Sequence, residues 1–257
     1  MTNDLGGRRI LVVGASSGIG RSLGIQAAAA GATVAFAARR EELVASAASD
    51  AGNGSIGLVC DVRDEASCAA LVQRTVDALG GLDDVVYSTA IDLLTRLTDA
   101  DAATWADTFA TNVTGAALIT TAALEHLRGN GGRAVYISAS SVDRPLPGMG
   151  VYASSKAALE TMVRAWQAEH PDVCFALARV GSALGTGVTD SWDRELLVEL
   201  SGRWNGLGYV HDNGPGGPMT VDEAAAAVLG VLTSPVWLRE ITAVSHPAGG
   251  GWGFAVS

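Results

Sequence analysis

The sequence is short of cationic charge, of cysteine and of long apolar runs, and each shortage excludes a class of function. Lys and Arg number 17 against 27 Asp and Glu, a formal charge of −10. The chain is therefore not a general binder of nucleic acid or of anionic membrane surfaces, whose phosphates are held by clustered cations. A basic pocket for a small anion is compatible with that total, because net charge does not describe a cleft. The three cysteines, Cys60, Cys68 and Cys174, are an odd set without CxxC spacing, so neither a disulfide framework nor a structural zinc site is expected. The four histidines are scattered without metal-ligand spacing, and no metal is expected. The first apolar run, Ile10–Val13, is too short for a signal-peptide core. The Ala-rich stretch Ala27–Ala38 is broken by Gly31 and falls well short of a bilayer span. These features predict a soluble, cytoplasmic protein.

What is present is apolar and periodic. With 48% hydrophobic residues in 257, the chain has the material for a large core and reads as a single domain, residues 1–257. Short β-branched runs at Arg9–Val13, Thr33–Ala37, Ser55–Cys60, Leu82–Ser88, Arg133–Ser138, Val173–Ala178 and Ile241–Val244 predict seven strands. Helical patterns at Ile19–Ala30, Glu41–Ser49, Asp64–Leu79, around Ala102–Leu127 and at Val151–His170 alternate with them. Continuous apolar strands alternating with helices predict an α/β fold, a doubly wound, Rossmann-like parallel sheet covered on both faces. The segment 181–218 departs from this rhythm, being Gly-rich and carrying Trp192, Trp204, Tyr209 and His211. It reads as a long connection that covers a substrate. The Gly-rich tail 249–257 either packs on a neighbouring subunit or frays.

The strongest local signal is the run Gly14-Ala15-Ser16-Ser17-Gly18-Ile19-Gly20 between the first strand and the first helix. Glycine suits a tight turn that a phosphate must approach closely, and the helix N-terminus behind it offers free N–H groups and the positive end of its dipole. The spacing is Gly-x-x-x-Gly-x-Gly. A cofactor with a free ribose 2′-hydroxyl usually meets a carboxylate at the end of the second strand. This chain has Ala38-Arg39-Arg40 there. A guanidinium fork matches a phosphate, so Arg39, helped by Arg40, points to NADP(H) in preference to NAD(H).

Tyr152 and Lys156 are one helical turn apart and share a helix face. A cation beside a phenol stabilises the phenolate, and on spacing alone Lys156 is expected to bring Tyr152 down toward neutrality. Together with the Gly14/Gly18/Gly20 loop, Asp61-Val62 after the third strand and Asn112 in Thr111-Asn112-Val113-Thr114-Gly115, this pair makes the chain resemble a short-chain dehydrogenase/reductase of about 250 residues, over residues 8–246. The resemblance implies that Tyr152 is the general acid/base and that Lys156 binds the nicotinamide ribose and tunes the phenol. It implies further that Asn112 holds a helix and a water in a proton relay and that Asp61 contacts the adenine. Without it, Asp61 reads as a helix N-cap and Asn112 as a buried polar group serving backbone.

Three departures from the family pattern stand out. The position of the carbonyl-polarising Ser falls on Ala139, with Ser138 and Ser140 on either side, and Ser140 is the expected replacement because Ser138 faces the other side of its strand. The Asn-Asn-Ala-Gly run after the fourth strand is Tyr87-Ser88-Thr89-Ala90, and Ala90 can stand in for glycine only at negative φ. Val180-Gly181 stands where relatives carry Pro-Gly beside the nicotinamide amide. Thr89, Ala90 and Gly181, with Val62, complete the expected cofactor contacts.

The function implied is an NADP(H)-dependent interconversion of a carbonyl and an alcohol on a small, apolar substrate, by a homo-oligomer, dimer or tetramer. A protein that holds NADP for regulation without turnover, and an epimerase or dehydratase on the same scaffold, stay open as alternatives.

Overall fold

In the computed structural model, which describes residues 4–129, 131–187, 192–207 and 217–245, the strand residues divide cleanly between two apolar layers. Successive side chains of a strand point to opposite faces of the sheet. Ile10, Val12, Val34 and Phe36 enter one layer, while Leu11, Val13, Ala35 and Ala37 enter the other. Runs that are apolar at every position are what a sheet buried on both faces requires.

The elements, in chain order, begin with β1 (Arg9–Val13), α1 (Gly18–Ala29), β2 (Thr33–Ala38), α2 (Glu41–Ala51), β3 (Ile56–Val59), α3 (Glu65–Leu79) and β4 (Asp84–Tyr87). There follow α4 (Ala102–Phe109), a π-turn (Ala110–Thr114), α5 (Gly115–Leu127), β5 (Arg133–Ala139), a 3₁₀ turn (Ser140–Val142), α6 (Gly150–Glu169) and β6 (Cys174–Val180). The last are β7 (Ala183–Leu184), α7 (Arg194–Gly206), β8 (Met219–Thr220), α8 (Val221–Thr233) and β9 (Glu240–Ala243).

Seven strands form one sheet in the order β3-β2-β1-β4-β5-β6-β9, and every pairing is parallel. This is the seven-stranded, Rossmann-like sheet expected from the alternation. Helices α1 and α8 pack on one layer, whereas α3, α5 and α6 pack on the other. Strand order reverses between β1 and β4, and the crevice at the carboxyl ends of the strands beside such a reversal is where open α/β sheets take ligands.

Two stretches carry structure beyond the expectation. The segment 181–218, expected as a long connection over the substrate, contains helix α7, capped by the Asp193 carboxylate accepting from Leu196 N. Its base is pinned by the β7–β8 ladder, in which Ala183 faces Met219 and Leu184 faces Thr220. The helix expected around Ala102–Leu127 is interrupted by the π-turn at its middle, which contains Asn112. Tyr209, His211 and the tail 249–257 lie outside the described residues. Among the described residues no helix is long and apolar enough to cross a membrane, and no group of three His, Cys, Asp or Glu side chains is placed to hold a metal ion.

Candidate active site

A cavity of about 650 Å³ opens at the carboxyl ends of β1 to β6. Its wall includes fifteen of the residues expected from sequence: Gly14, Ser16, Ser17, Gly18, Ile19, Arg39, Arg40, Asp61, Val62, Thr89, Ala90, Ser140, Tyr152, Lys156 and Gly181. Gly20 and Asn112 stand behind the wall and shape it.

The glycine loop is tight because the end of β4 crosses it. A Cβ on Gly14 would lie 2.4 Å from Thr89 N, and its φ of +90° is one that side chains rarely adopt. A Cβ on Gly20 would lie 2.5 Å from Gly14 O, so α1 seats directly on the turn. Ser17, at the N-cap of α1, makes no capping bond with its side chain, and the first turn carries no acidic residue. The positive end of that helix therefore faces the cavity uncompensated, a fit for a pyrophosphate. Arg40 donates to Ser16 Oγ at 2.8 Å and to Ser17 Oγ at 3.3 Å, tying the end of β2 to the glycine loop.

Arg39 and Arg40 share this end of the cavity with Arg63, a third cation that the sequence reading does not single out. Arg63 holds Asp61 in a paired contact at 3.0 and 2.7 Å. That guanidinium, with a smaller contribution from Arg39, brings the Asp61 carboxyl down to about 2. Asp61 is not a helix cap; α3 is capped by Asp64, which accepts from Ser67 N. Cys60 also reaches the wall, as a small buried thiol.

At the other end, Tyr152 and Lys156 project from the first turns of α6. Lys156 Nζ donates to Ile137 O at 2.8 Å and stands 5.7 Å from the centroid of the Tyr152 ring. Burial draws Lys156 down to about 8, against the opposing pull of the Asp92 and Glu160 carboxylates. The expectation that Lys156 lowers the phenol does not hold in the protein by itself. Burial, and then the Asp92 carboxyl, push Tyr152 well above the ordinary tyrosine value, and the phenol is a neutral acid. The lysine is engaged with a backbone carbonyl, and burial dominates the phenol.

Asn112 is fully buried. Its Oδ1 accepts from Ile91 N at 2.7 Å, and its Nδ2 donates to Ile91 O at 2.9 Å and to Ser155 Oγ at 2.9 Å. It thus fastens the segment after β4 to α6. The π-turn presents it, and Tyr87 serves that turn: its hydroxyl donates to Thr111 O at 2.5 Å. Ala90 has a negative φ, since Asn53 is the only non-glycine residue with positive φ among those described. The condition for Ala in place of glycine is met.

The serines differ in what their hydroxyls can do. Ser138 borders the cavity, but its hydroxyl is taken: it donates to Glu160 Oε1 at 2.7 Å, in a buried group completed by Arg179. Ala139, Ser140 and Ser141 line the cavity, and Ser141 Oγ is buried without a hydrogen-bond partner. Over Tyr152 lies an apolar cluster of Leu94, Met149, Leu200 and Trp204, with Trp192 and Leu197 against it. Trp192 Nε1 donates to Asp92 O at 3.1 Å and Trp204 Nε1 to Pro147 O at 2.8 Å. Both tryptophans of α7 and its approach are thus anchored at the Tyr152 end of the cavity.

The family model described as short chain dehydrogenase matches residues 8–182. An 11-beta-hydroxysteroid dehydrogenase A of Sesamum indicum is 34% identical over 186 residues, 70% of this chain and 53% of that protein. A short-chain type dehydrogenase/reductase of Picea abies is 34% identical over 176 residues, 62% of this chain and 64% of its own length. The chain thus spans about half to two thirds of these curated relatives. Among solved structures, a short chain dehydrogenase from Burkholderia cenocepacia in complex with NADP superposes with a TM-score of 0.76 at 26% identity, covering 93% of this chain and 96% of that one.

Proposed function

The chain belongs to the short-chain dehydrogenase family, and on that premise we propose that it is an NADPH-dependent reductase that interconverts a ketone and an alcohol on a small, apolar substrate. The observation that carries the proposal is the joint presentation of Tyr152 and Lys156 to one cavity whose far end holds an open glycine loop and three arginines. A nicotinamide dinucleotide bound there supplies or accepts the hydride.

The remaining work falls to this chain. The Gly14–Gly18 turn and the N-terminus of α1 hold the pyrophosphate, while Arg39, with Arg40 and Arg63 close by, takes the 2′-phosphate. Asp61-Val62 borders the adenine, Thr89 and Ala90 the neighbouring ribose, and Gly181 the amide end. Lys156 orients the nicotinamide ribose. Tyr152, neutral in its buried setting, gives its proton to the carbonyl oxygen during reduction, and Ser140 polarises that carbonyl. The aromatic and aliphatic cover from segment 181–218 excludes water and favours an apolar body, in keeping with the hydroxysteroid dehydrogenase name of the Sesamum relative. Residues 1–257 act as one domain. Exposed Val236, Trp237 and Val244 flank the edge strand β9, a surface suited to association of subunits into a dimer or tetramer.

The test is NADPH consumption with cyclohexanone, α-tetralone and a ketosteroid. Turnover of at least one ring ketone, faster with NADPH than with NADH, is the expected result. A second reading, an NADP-binding regulator without turnover, draws on Ala139, which offers no hydroxyl, and on Ser138, whose hydroxyl is engaged by Glu160. Tight NADPH binding with no consumption on any ketone supports that reading instead.

A further inference from the structure

Asp92 has no assigned role, yet it lines the cavity at the catalytic end. It lies just beyond β4, and the backbone on either side of its carboxyl is fixed from two directions. Asn112 binds both the N–H and the C=O of Ile91, and Trp192 donates to the C=O of Asp92 itself. A loop held this way presents its side chain in one place. That side chain ends in an orphan: Oδ1 of Asp92 is buried and has no hydrogen-bond partner. Buried polar atoms are nearly always satisfied, and an unsatisfied carboxyl on a residue that lines a cavity marks a subsite for a polar group of the ligand.

We propose that the Asp92 carboxylic acid donates a hydrogen bond to the carbonyl oxygen of the substrate, on the opposite side from Tyr152, an assignment that rests on the reductase reading above. Three further observations support it. At the end of β5, Ala139 has no side-chain donor and the hydroxyl of Ser138 is engaged by Glu160, so Ser140 is the one strand-end hydroxyl assigned to the carbonyl and Asp92 adds a donor from another element. Tyr152 and Lys156 both respond to the charge of Asp92, which places the carboxyl in the same field as the reacting atoms. Burial pushes Asp92 up to about 7, with Lys156 pulling it the other way. Among the described residues, the ionisable side chains facing it are Tyr152 and Lys156, both from α6. A neutral carboxyl group can donate, whereas an ionised one can only accept. Negative charge at Asp92 also opposes the charge that grows on the substrate oxygen and on the phenol as its proton leaves.

The step balances. The carbonyl carbon receives the nicotinamide hydride and its oxygen receives the Tyr152 proton. Asp92 keeps its own proton, and the tyrosinate recovers one from solvent.

Two variants and one spectrum test the proposal. Asp92→Asn retains a donor of the same shape at every pH, and Asp92→Ala retains none. With α-tetralone and NADPH, Asp92→Ala is expected to lose about 10²–10³-fold in kcat/KM, as for removal of one oxyanion donor, while Asp92→Asn, a weaker donor at acidic pH and a retained one above neutrality, loses markedly less. Wild-type reduction is expected to fall as pH rises past about 7. Asp92→Asn removes that limb and leaves the later one, which belongs to Lys156 near 8. Independently of turnover, the infrared difference between wild type and Asp92→Asn should show the band of a protonated carboxylic acid that disappears through neutrality. Absence of that band, or an Asp92→Ala enzyme as fast as wild type, overturns the assignment while the reductase reading stands. A wild-type protein that consumes no NADPH with any ketone overturns the reductase reading and this assignment with it.

Discussion

At Gly14 the end of β4 passes so close that any side chain collides with the Thr89 backbone. Gly14→Ala must shift either β4 or the loop. The expected outcome is loss of the NADPH-induced rise in Tm together with a lower Tm of the free protein, read by thermal shift. On the proposed assignment, Arg39→Ala removes a charge-assisted contact to the 2′-phosphate. That contact is worth about 1.5–3 kcal/mol, roughly a 10- to 100-fold weakening for NADPH, with NADH affinity unchanged; equal losses for the two cofactors contradict the assignment. These positions are legible in the sequence because each answers a local demand. A glycine answers a backbone demand, a cation marks the end of β2, and Tyr152 and Lys156 share a helix face through fixed spacing. Asp92 and Arg63 are not legible, since their significance comes from partners far along the chain, Trp192 and Asn112 for one and the mouth of the glycine loop for the other. The protonation of Tyr152 is not legible either. Spacing shows a neighbouring cation, whereas the depth of burial that outweighs it emerges only once α6, β5 and the tryptophans of segment 181–218 are assembled.

Among the elements, α6 carries Tyr152 and Lys156, and Glu160 ties it to β5 and β6. Its buried carboxylate accepts from Ser138, is paired by Arg179, and takes Arg164 at 3.2 Å. These donors hold Glu160 below the ordinary glutamate value even though burial acts the other way. A carboxyl lowered in the folded state stabilises at pH above its unfolded value, and that contribution is lost as pH falls through the folded value. Removing the acid strips Ser138 and Arg179 of their buried partner and leaves Arg179 only the more exposed Asp143 and Glu240, so Glu160→Ala is expected to cost about 1–3 kcal/mol in chemical denaturation. In Glu160→Gln, acid should destabilise less steeply than in wild type. The π-turn offers a second case. Gly115 leaves the space that Tyr87 needs, since a Cβ there would lie 2.6 Å from the phenol oxygen. Tyr87→Phe strands the Thr111 carbonyl at a cost of about 1–3 kcal/mol and is expected to lower kcat through Asn112 while leaving NADPH binding near wild type. The sequence marks a helix over this stretch but not its irregular turn, because the cause sits on another strand. Helix α8 is marked by its Thr220/Glu223 capping box, a signal masked by the glycines that precede it.

For the whole molecule, acidic net charge and a basic cofactor end coexist because Arg39, Arg40 and Arg63 converge from β2 and the loop after β3. The seven-stranded parallel sheet is readable from the sequence since its central strands are buried on both faces and each crossover takes a helix. The site lies at the reversal of strand order for the same reason. The cover over Tyr152 was harder to read, its helix α7 lying between glycine-rich stretches. The central claim is that a neutral phenol at the covered end of this cavity passes a proton to a ketone as the nicotinamide is oxidised. The direct measurement is the loss of NADPH absorbance after addition of α-tetralone to NADPH-saturated wild type and Tyr152→Phe. Steady oxidation by wild type, slowed about 10²–10⁴-fold in the variant with NADPH affinity retained, is the predicted result. Equal rates in the two proteins contradict it.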